Sequence, residues 1–250
     1  MRKGIILAGG KGKRLHPITK VFSKQLVPIY DKPLIFYPLS TLIDIGIKDI
    51  LIICVPTDVK FFKKIIDSLS LKNINISYKG QKIPNGLPEA FKIGKKFIGK
   101  SEVVLILGDN IFYHKKLSQV TKKYFNDKDK ASIFFKKVKN PQEFGVLSKI
   151  KNKINIEEKP KVPKSNKAIT GLYFFPNNVC KLVLKLKPSK RGETEITDLI
   201  RIYIEQNKIN LIDLKNTIWF DTGTPENLLK AANFVFKLQK EKRIYIGNLN

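Results

Sequence analysis

The chain has two cysteines, two histidines, one methionine and one tryptophan in 250 residues. Cys54 sits in an apolar run and Cys180 in an expected helix, too isolated for a disulfide framework or a Cys/His metal cluster. They read as buried free thiols of a reducing compartment. His16 and His114 fall in expected loops and complete no Ser-His-Asp or Cys-His arrangement. No apolar run approaches the length of a membrane span, and the N-terminus enters a strand without a signal-peptide pattern. The expectation is a soluble cytoplasmic protein.

Acidic residues are scarce as well: 21 Asp and Glu face 48 Lys and Arg, a net charge of +27 with a pI near 10.0. Such a balance suits nucleic acid or an anionic membrane surface. Arginine, the residue fitted to bidentate phosphate and base contacts, is however limited to Arg2, Arg14, Arg191, Arg201 and Arg243. The lysines are spread along the whole chain, as on solvated faces. Neither nucleic acid nor a membrane is expected as a partner. A hydrophobic content of 42% can fill the core of one large domain, taken as residues 1–241 with a polar tail at 242–250.

What the chain does contain is an alternation of strands and helices. Aliphatic runs at 5–8, 50–55 and 103–107 have the pattern of strands buried on both faces. A shorter strand is expected at 74–78, with helices at 34–45, 59–69 and 87–97. The second half is more mixed. Its expected strands lie near 132–137, 146–149, 154–157 and 169–175, and its helices at 176–186, 196–206 and 225–239. The fold class expected is α/β, Rossmann-like and three-layered, with a mixed but mostly parallel central sheet.

Four stretches carry candidate chemistry. After the first strand, Gly9-Gly10-Lys11-Gly12-Lys13-Arg14-Leu15 lets main-chain N–H groups approach an anion beside three cationic side chains. The alternative is an ordinary Gly-rich turn. No Gly-Lys-Ser/Thr closes the loop, which excludes a Walker-type site. Gly108-Asp109-Asn110 follows a buried strand, where a carboxylate is placed for Mg²⁺, or for an Asx-turn. Trp219-Phe220-Asp221-Thr222-Gly223-Thr224-Pro225 offers a second carboxylate, or a capping turn with Thr224 as N-cap. Glu157-Glu158-Lys159-Pro160 supplies a carboxylate for sugar hydroxyls and a cation for phosphate, or a charged strand end. Sequence spacing alone does not bring Asp109 and Asp221 together.

These motifs stand in a fixed order with SKQLVPIYDKPLIFYPLSTL, GQKIPNGL, FGV, TGLYFF and RGETEITD. The ensemble, from about residue 3 to 236, resembles the nucleotidyltransferases that activate sugar 1-phosphates, and most closely those that use dTTP. The resemblance implies thymidylyl transfer from dTTP to glucose 1-phosphate with Mg²⁺, giving dTDP-glucose and pyrophosphate. Uridylyl or other nucleotidyl transfer, or a catalytically silent sugar-nucleotide-binding subunit, are the alternatives. It implies a nucleotide-binding part over about 1–110, a sugar-phosphate-binding part over about 111–241, and a homo-oligomer, tetramer or dimer. By motif position the nucleotide set is Leu7, Gly9, Gly10, Gly12, Lys13, Arg14, Lys24, Gln25, Gln81 and Gly86. The sugar-phosphate set is Asn110, Gly145, Glu158, Lys159, Ile169 and Trp219, and the metal carboxylates are Asp109 and Asp221. Arg191, in a stretch that otherwise reads as a loop and an acidic helix start, joins the sugar-phosphate set as a cation able to reach an anionic ligand. Arg14, Lys24, Asp109, Lys159 and Asp221 are the residues implied to carry the reaction.

Three departures from the family pattern are visible. Lys13 stands where a Thr is usual, and Gly86-Leu87-Pro88-Glu89-Ala90 replaces the common GLAQA. Many members also continue into C-terminal helices of a regulatory nucleotide site. Without them, feedback by dTDP-sugar through that site is expected to be weak or missing.

Overall fold

The structure, a computed structural model, describes residues 2–125 and 127–249. In chain order the elements are β1 (Lys3–Ala8), β2 (Pro28–Ile29), β3 (Lys32–Pro33), α1 (Phe36–Asp44), β4 (Asp49–Cys54), α2 (Val59–Asp67) and β5 (Asn75–Gly80). There follow α3 (Glu89–Ile93), α4 (Lys95–Ile98), β6 (Val103–Leu107), β7 (Asn110–Tyr113), α5 (Leu117–Phe125), β8 (Ala131–Lys137), β9 (Gly145–Ile150) and β10 (Lys153–Glu158). The chain closes with β11 (Lys167–Phe175), α6 (Val179–Leu182), α7 (Ile196–Glu205), β12 (Ile209–Asp213), β13 (Ile218–Asp221) and α8 (Pro225–Lys242). These elements form two compact units that interleave along the chain. One holds Lys3–Lys82, Ile106–Lys122 and the chain from Thr217 on; the other holds Arg2, Ile83–Leu105 and Lys123–Asn216.

In the first unit β1, β4 and β5 are parallel, with Ile5 opposite Leu51 and Ile52 opposite Tyr78. Ile50 to Cys54 are all buried, which is why this strand reads as an unbroken aliphatic run. Gly108, just past β6, donates its N–H to the Leu7 carbonyl at 2.9 Å, so the ends of β1 and β6 meet. A separate two-stranded ladder pairs β7 with β13 antiparallel. It rests on a cluster of Ile29, Leu34, Tyr37, Ile111, Ala231 and Val235, packed against Phe220 and Ile246.

The second unit is mixed. β9 pairs antiparallel with β10 and β11, β8 antiparallel with β11, and β12 parallel with β8. Parallel pairing therefore joins β1, β4 and β5 in the first unit and β12 with β8 in the second, where the β8–β11, β9–β10 and β9–β11 pairs are antiparallel. Two expected helices are shorter than their sequence pattern. The helix expected at 87–97 is interrupted at Gly94 into α3 and α4, and that at 176–186 gives way after α6 to a 3₁₀ turn at Val183–Lys185. Strands β7 and β12 and helix α5 lie outside the expected elements; the partner of β7 lies more than a hundred residues further along.

Candidate active site

The Gly-rich loop leaves β1 where the parallel strands end. Gly9 has no room for a side chain: a Cβ there would collide with Gln81 Oε1, so the buried Gln81 amide lies against this backbone. Gln81 is fixed in turn by its own N–H, which donates to the Cys54 carbonyl at 2.7 Å. Gly12 takes the left-handed conformation at φ 58°, a region that favours glycine. Its carbonyl accepts hydrogen bonds from Leu15 N–H and Thr19 Oγ1, both at 2.8 Å. The loop borders a cavity of about 280 Å³ lined by Gly10, Lys11, Lys13, His16, Lys20 and Lys24, among others. Its twelve lining residues include four lysines against one carboxylate, Asp58, which suits the cavity to an anion.

Lys24 and Gln25 lie in a 3₁₀ turn and are both buried. A buried ammonium requires a partner, and Lys24 Nζ finds one in Asp109 Oδ2 at 2.5 Å. Gln25 receives a hydrogen bond from Ser23 Oγ on Oε1 and packs beside Gly108. The Asn110 side-chain amide donates to Asp109 Oδ1 at 2.9 Å. Asn110 Oδ1 accepts from Trp219 Nε1 at 2.6 Å.

Trp219 and Asn110 meet because of strand register. In the β7–β13 ladder Trp219 is opposite Phe112 and Asp221 is opposite Asn110. Beyond the ladder's end, Thr222 donates from both N–H and Oγ1 to the Asp109 carbonyl, at 3.1 and 2.8 Å. The two carboxylates that the sequence left apart therefore sit side by side. Gly223 follows, and its N–H donates to Asp221 Oδ1 at 2.9 Å. A Cβ on Gly223 would collide with Arg14 Nη2, which puts the Arg14 guanidinium over this turn. Thr224 caps α8 as expected, its Oγ1 accepting from Asn227 N–H with Pro225 in the first turn.

The charges respond to this crowding. Burial works to raise the Asp109 carboxyl, but the Lys24 ammonium and the hydrogen bonds from Lys24 and Asn110 hold it below the usual carboxylate range. Burial and then the neighbouring Asp109 charge push Asp221 up to about 6, against the pull of Lys24, Arg14 and the Gly223 N–H. Asp221 is thus an under-neutralised carboxylate beside a neutralised one. Among the described residues no group of three or more His, Cys, Asp or Glu could hold a metal. Two carboxylates nevertheless fit Mg²⁺, which takes its remaining ligands from phosphate oxygens and water.

The second unit contains Gly86, Gly145, Glu158, Lys159, Ile169 and Arg191 of the implied set. Gly145 is paired with Glu158 across the β9–β10 hairpin. A Cβ on Gly145 would press on Thr197 Cγ2 at 2.8 Å and approach Glu158 Oε2 and Ile169 Cγ1, so the glycine lets the Thr197 side chain pack directly on this backbone beside Glu158. Glu158 accepts from Thr197 Oγ1 at 3.2 Å, and Arg191 Nη1 lies 3.6 Å from its Oε1. Burial and the Glu195 charge raise the Glu158 carboxyl, opposed by Lys159, Arg191 and Thr197. Lys159 has a left-handed backbone, φ 41°, and its N–H donates to the Phe144 carbonyl at 3.0 Å. Gly86, φ 98°, lies under the Thr194 carbonyl, and Thr194 donates to the Asn85 carbonyl from N–H and Oγ1. Sequence reasoning did not single out Thr222, Thr197 or Glu195. All three sit inside the quoted motifs, but only their hydrogen bonds distinguish them from capping residues.

The chain belongs to the nucleotidyl transferase family, whose sequence model matches residues 3–237. Within that family it groups with the glucose-1-phosphate thymidylyltransferases. The enzyme of that name from Neisseria meningitidis serogroup A is 48% identical over 99% of this chain and 87% of its own length. That from Mycobacterium tuberculosis is 44% identical over 98% of this chain and 86% of its own. A solved structure from Bacillus anthracis, described as a glucose-1-phosphate thymidylyltransferase in complex with a sucrose, superposes with a TM-score of 0.88 at 34% identity, covering 100% of this chain and 98% of that one. A UDP-glucose pyrophosphorylase complexed with UDP-glucose has a TM-score of 0.80 at 25% identity, covering 95% and 99%. Among the described residues no helix is long and apolar enough to cross a membrane.

Proposed function

We propose that this protein transfers the thymidylyl group of dTTP to α-D-glucose 1-phosphate, releasing pyrophosphate and forming dTDP-glucose. The observation that carries the reading is the pairing of β7 with β13, which sets Asp221 beside Asp109 with Lys24 and Arg14 around them. That is an arrangement for holding a polyphosphate and a divalent cation. An oxygen of the sugar phosphate attacks the α-phosphorus, the bond to the β-phosphate oxygen breaks, and pyrophosphate leaves with the electron pair. The attacking oxygen is already ionised at neutral pH, so no general base is required.

The protein's work is then to hold two anions and offset their charge. The N–H groups of Gly9 to Gly12, with Lys13, Arg14 and Lys24, take the triphosphate, and Leu7 and Gln25 frame it. Gln81 and the loop at Gly86 read the base. Gly145, Glu158, Lys159, Ile169 and Arg191, with Asn110 and Trp219, take the sugar phosphate. Asp109 and Asp221 would hold Mg²⁺, which when bound supplies positive charge to the phosphates. Lys24, which pairs with Asp109 and also lines the loop cavity, would present its ammonium to a phosphate oxygen there.

The preference for dTTP follows the relatives of that specificity at 44 and 48% identity, against 25% for the uridylyl-type structure. Thymine and uracil share their Watson–Crick edge and differ by one methyl, so UTP is a slower substrate, not an excluded one. A cytoplasmic setting and a homo-oligomeric state belong to this proposal, the second on the family resemblance alone. The test is pyrophosphate release with each nucleoside triphosphate and several sugar 1-phosphates, with and without Mg²⁺. Release confined to dTTP, weaker with UTP, and dependent on glucose 1-phosphate and Mg²⁺ supports the reading; a preference for CTP or GTP refutes it.

A further inference from the structure

Glu195 is the most deeply placed carboxylate of the second unit, 7% exposed, and it stands at the N-cap position of α7. Its side chain makes no capping hydrogen bond. It turns instead to the preceding loop, where Oε1 accepts from Ser189 Oγ at 2.7 Å and faces Arg191 Nη1 at 3.3 Å, with Oε2 at 3.5 Å. The loop is closed on itself. Ser189 N–H donates to the Glu193 carbonyl, Gly192 N–H to the Ser189 carbonyl, and Arg191 N–H to Ser189 Oγ. The following residue, Thr194, is tied to Asn85 by two hydrogen bonds.

A buried carboxylate without a cation is costly, and a half-exposed arginine on a Gly-containing loop is mobile unless something holds it. Each residue meets the other's requirement. Arg191 also reaches Glu158 Oε1 at a looser 3.6 Å. We propose that Glu195 is the positioning residue that holds the Arg191 guanidinium at the sugar-phosphate set through Nη1, the atom that also faces Glu158, so that an incoming phosphate displaces only the longer Glu158 contact. The inference rests on the function proposed above. Glu195 touches no substrate; it acts through Arg191, so that glucose 1-phosphate meets an arginine already ordered.

The test compares Glu195→Ala, Glu195→Gln and Ser189→Ala by steady-state kinetics of pyrophosphate release. Glu195→Ala is expected to raise the KM for glucose 1-phosphate about tenfold, the scale of ordering one arginine side chain at binding, with kcat and the KM for dTTP nearly unchanged. Glu195→Gln, which keeps the acceptor oxygen, should recover most of that loss, and Ser189→Ala should shift in the same direction by less. Arg191 labelling by phenylglyoxal, read by peptide mass spectrometry, should be several-fold faster in Glu195→Ala and suppressed by glucose 1-phosphate in the wild type. Unchanged KM and unchanged labelling in Glu195→Ala, or equal losses for both substrates, overturn the inference while the wild-type activity still stands. A wild type that releases no pyrophosphate overturns the proposed function itself, and this inference with it.

Discussion

Asp221 lies directly across an antiparallel ladder from Asn110, one residue past Asp109, although the two strands are more than a hundred residues apart in sequence. That register converts two unrelated acidic turns into one carboxylate pair. Thr222, bonded twice to the Asp109 carbonyl, locks the end of the ladder so that the pair cannot slide apart.

Replacing Asp109 by Asn removes the partner of the buried Lys24 ammonium and one of the two proposed metal carboxylates. Turnover is expected to fall by about a hundredfold or more, the scale seen when a group stabilising transition-state charge is removed. Arg14→Ala should lose activity similarly while folding normally. Circular dichroism and melting curves, read alongside pyrophosphate release, check both variants; near-normal turnover in either contradicts the assignment.

Metal removal gives a second outcome. Chelation of divalent ions should abolish pyrophosphate release, and added Mg²⁺ should restore it. The Asp221→Asn variant should require a much higher Mg²⁺ concentration, because it leaves Asp109, already paired with Lys24, to bind alone. Titrating Mg²⁺ against rate for wild type and variant measures this directly.

Glycine positions make a steric prediction. Gly223→Ala drives a methyl group into Arg14 Nη2, and Gly9→Ala drives one into Gln81 Oε1. Gly223→Ala should therefore lower kcat, through Arg14, and Gly9→Ala should raise the KM for dTTP, through the displaced Gln81. Crystal structures of the two variants would show the displaced side chain in each case.

The raised Glu158 carboxyl has a consequence for stability. A carboxyl whose pKa is higher folded than unfolded retains its proton better in the native state, so its contribution to stability falls as pH rises above the ordinary carboxylate range. Glu158→Gln removes that loss. The variant's Tm, relative to wild type, should be higher at pH 8 than at pH 4, while its KM for glucose 1-phosphate rises. A Tm difference independent of pH contradicts the first half of this prediction.

Much of this was legible in the residues. The aliphatic runs of β1, β4 and β6 announced buried strands, Thr224-Pro225 announced the start of α8, and the glycines of the first loop announced a close backbone approach. Pairings between distant segments were not legible. The β7–β13 ladder depends on Asn110 meeting Asp221, and nothing local in either stretch specifies the other. The same holds for Lys24 and Asp109: both stood out as charged residues, but their direct bond is a product of the fold. Gly94 breaks a helix whose apolar spacing runs through it, because Gly lowers helix propensity where the pattern alone would continue.

The central claim is thymidylyl transfer at the paired carboxylates, and the most direct measurement is pyrophosphate release from dTTP and glucose 1-phosphate by the wild type and by Asp221→Asn. The account predicts Mg²⁺-dependent release together with dTDP-glucose from the wild type, and a severe loss in a folded Asp221→Asn protein. Equal rates for the two proteins, or no dTDP-glucose from the wild type at saturating Mg²⁺, would contradict it.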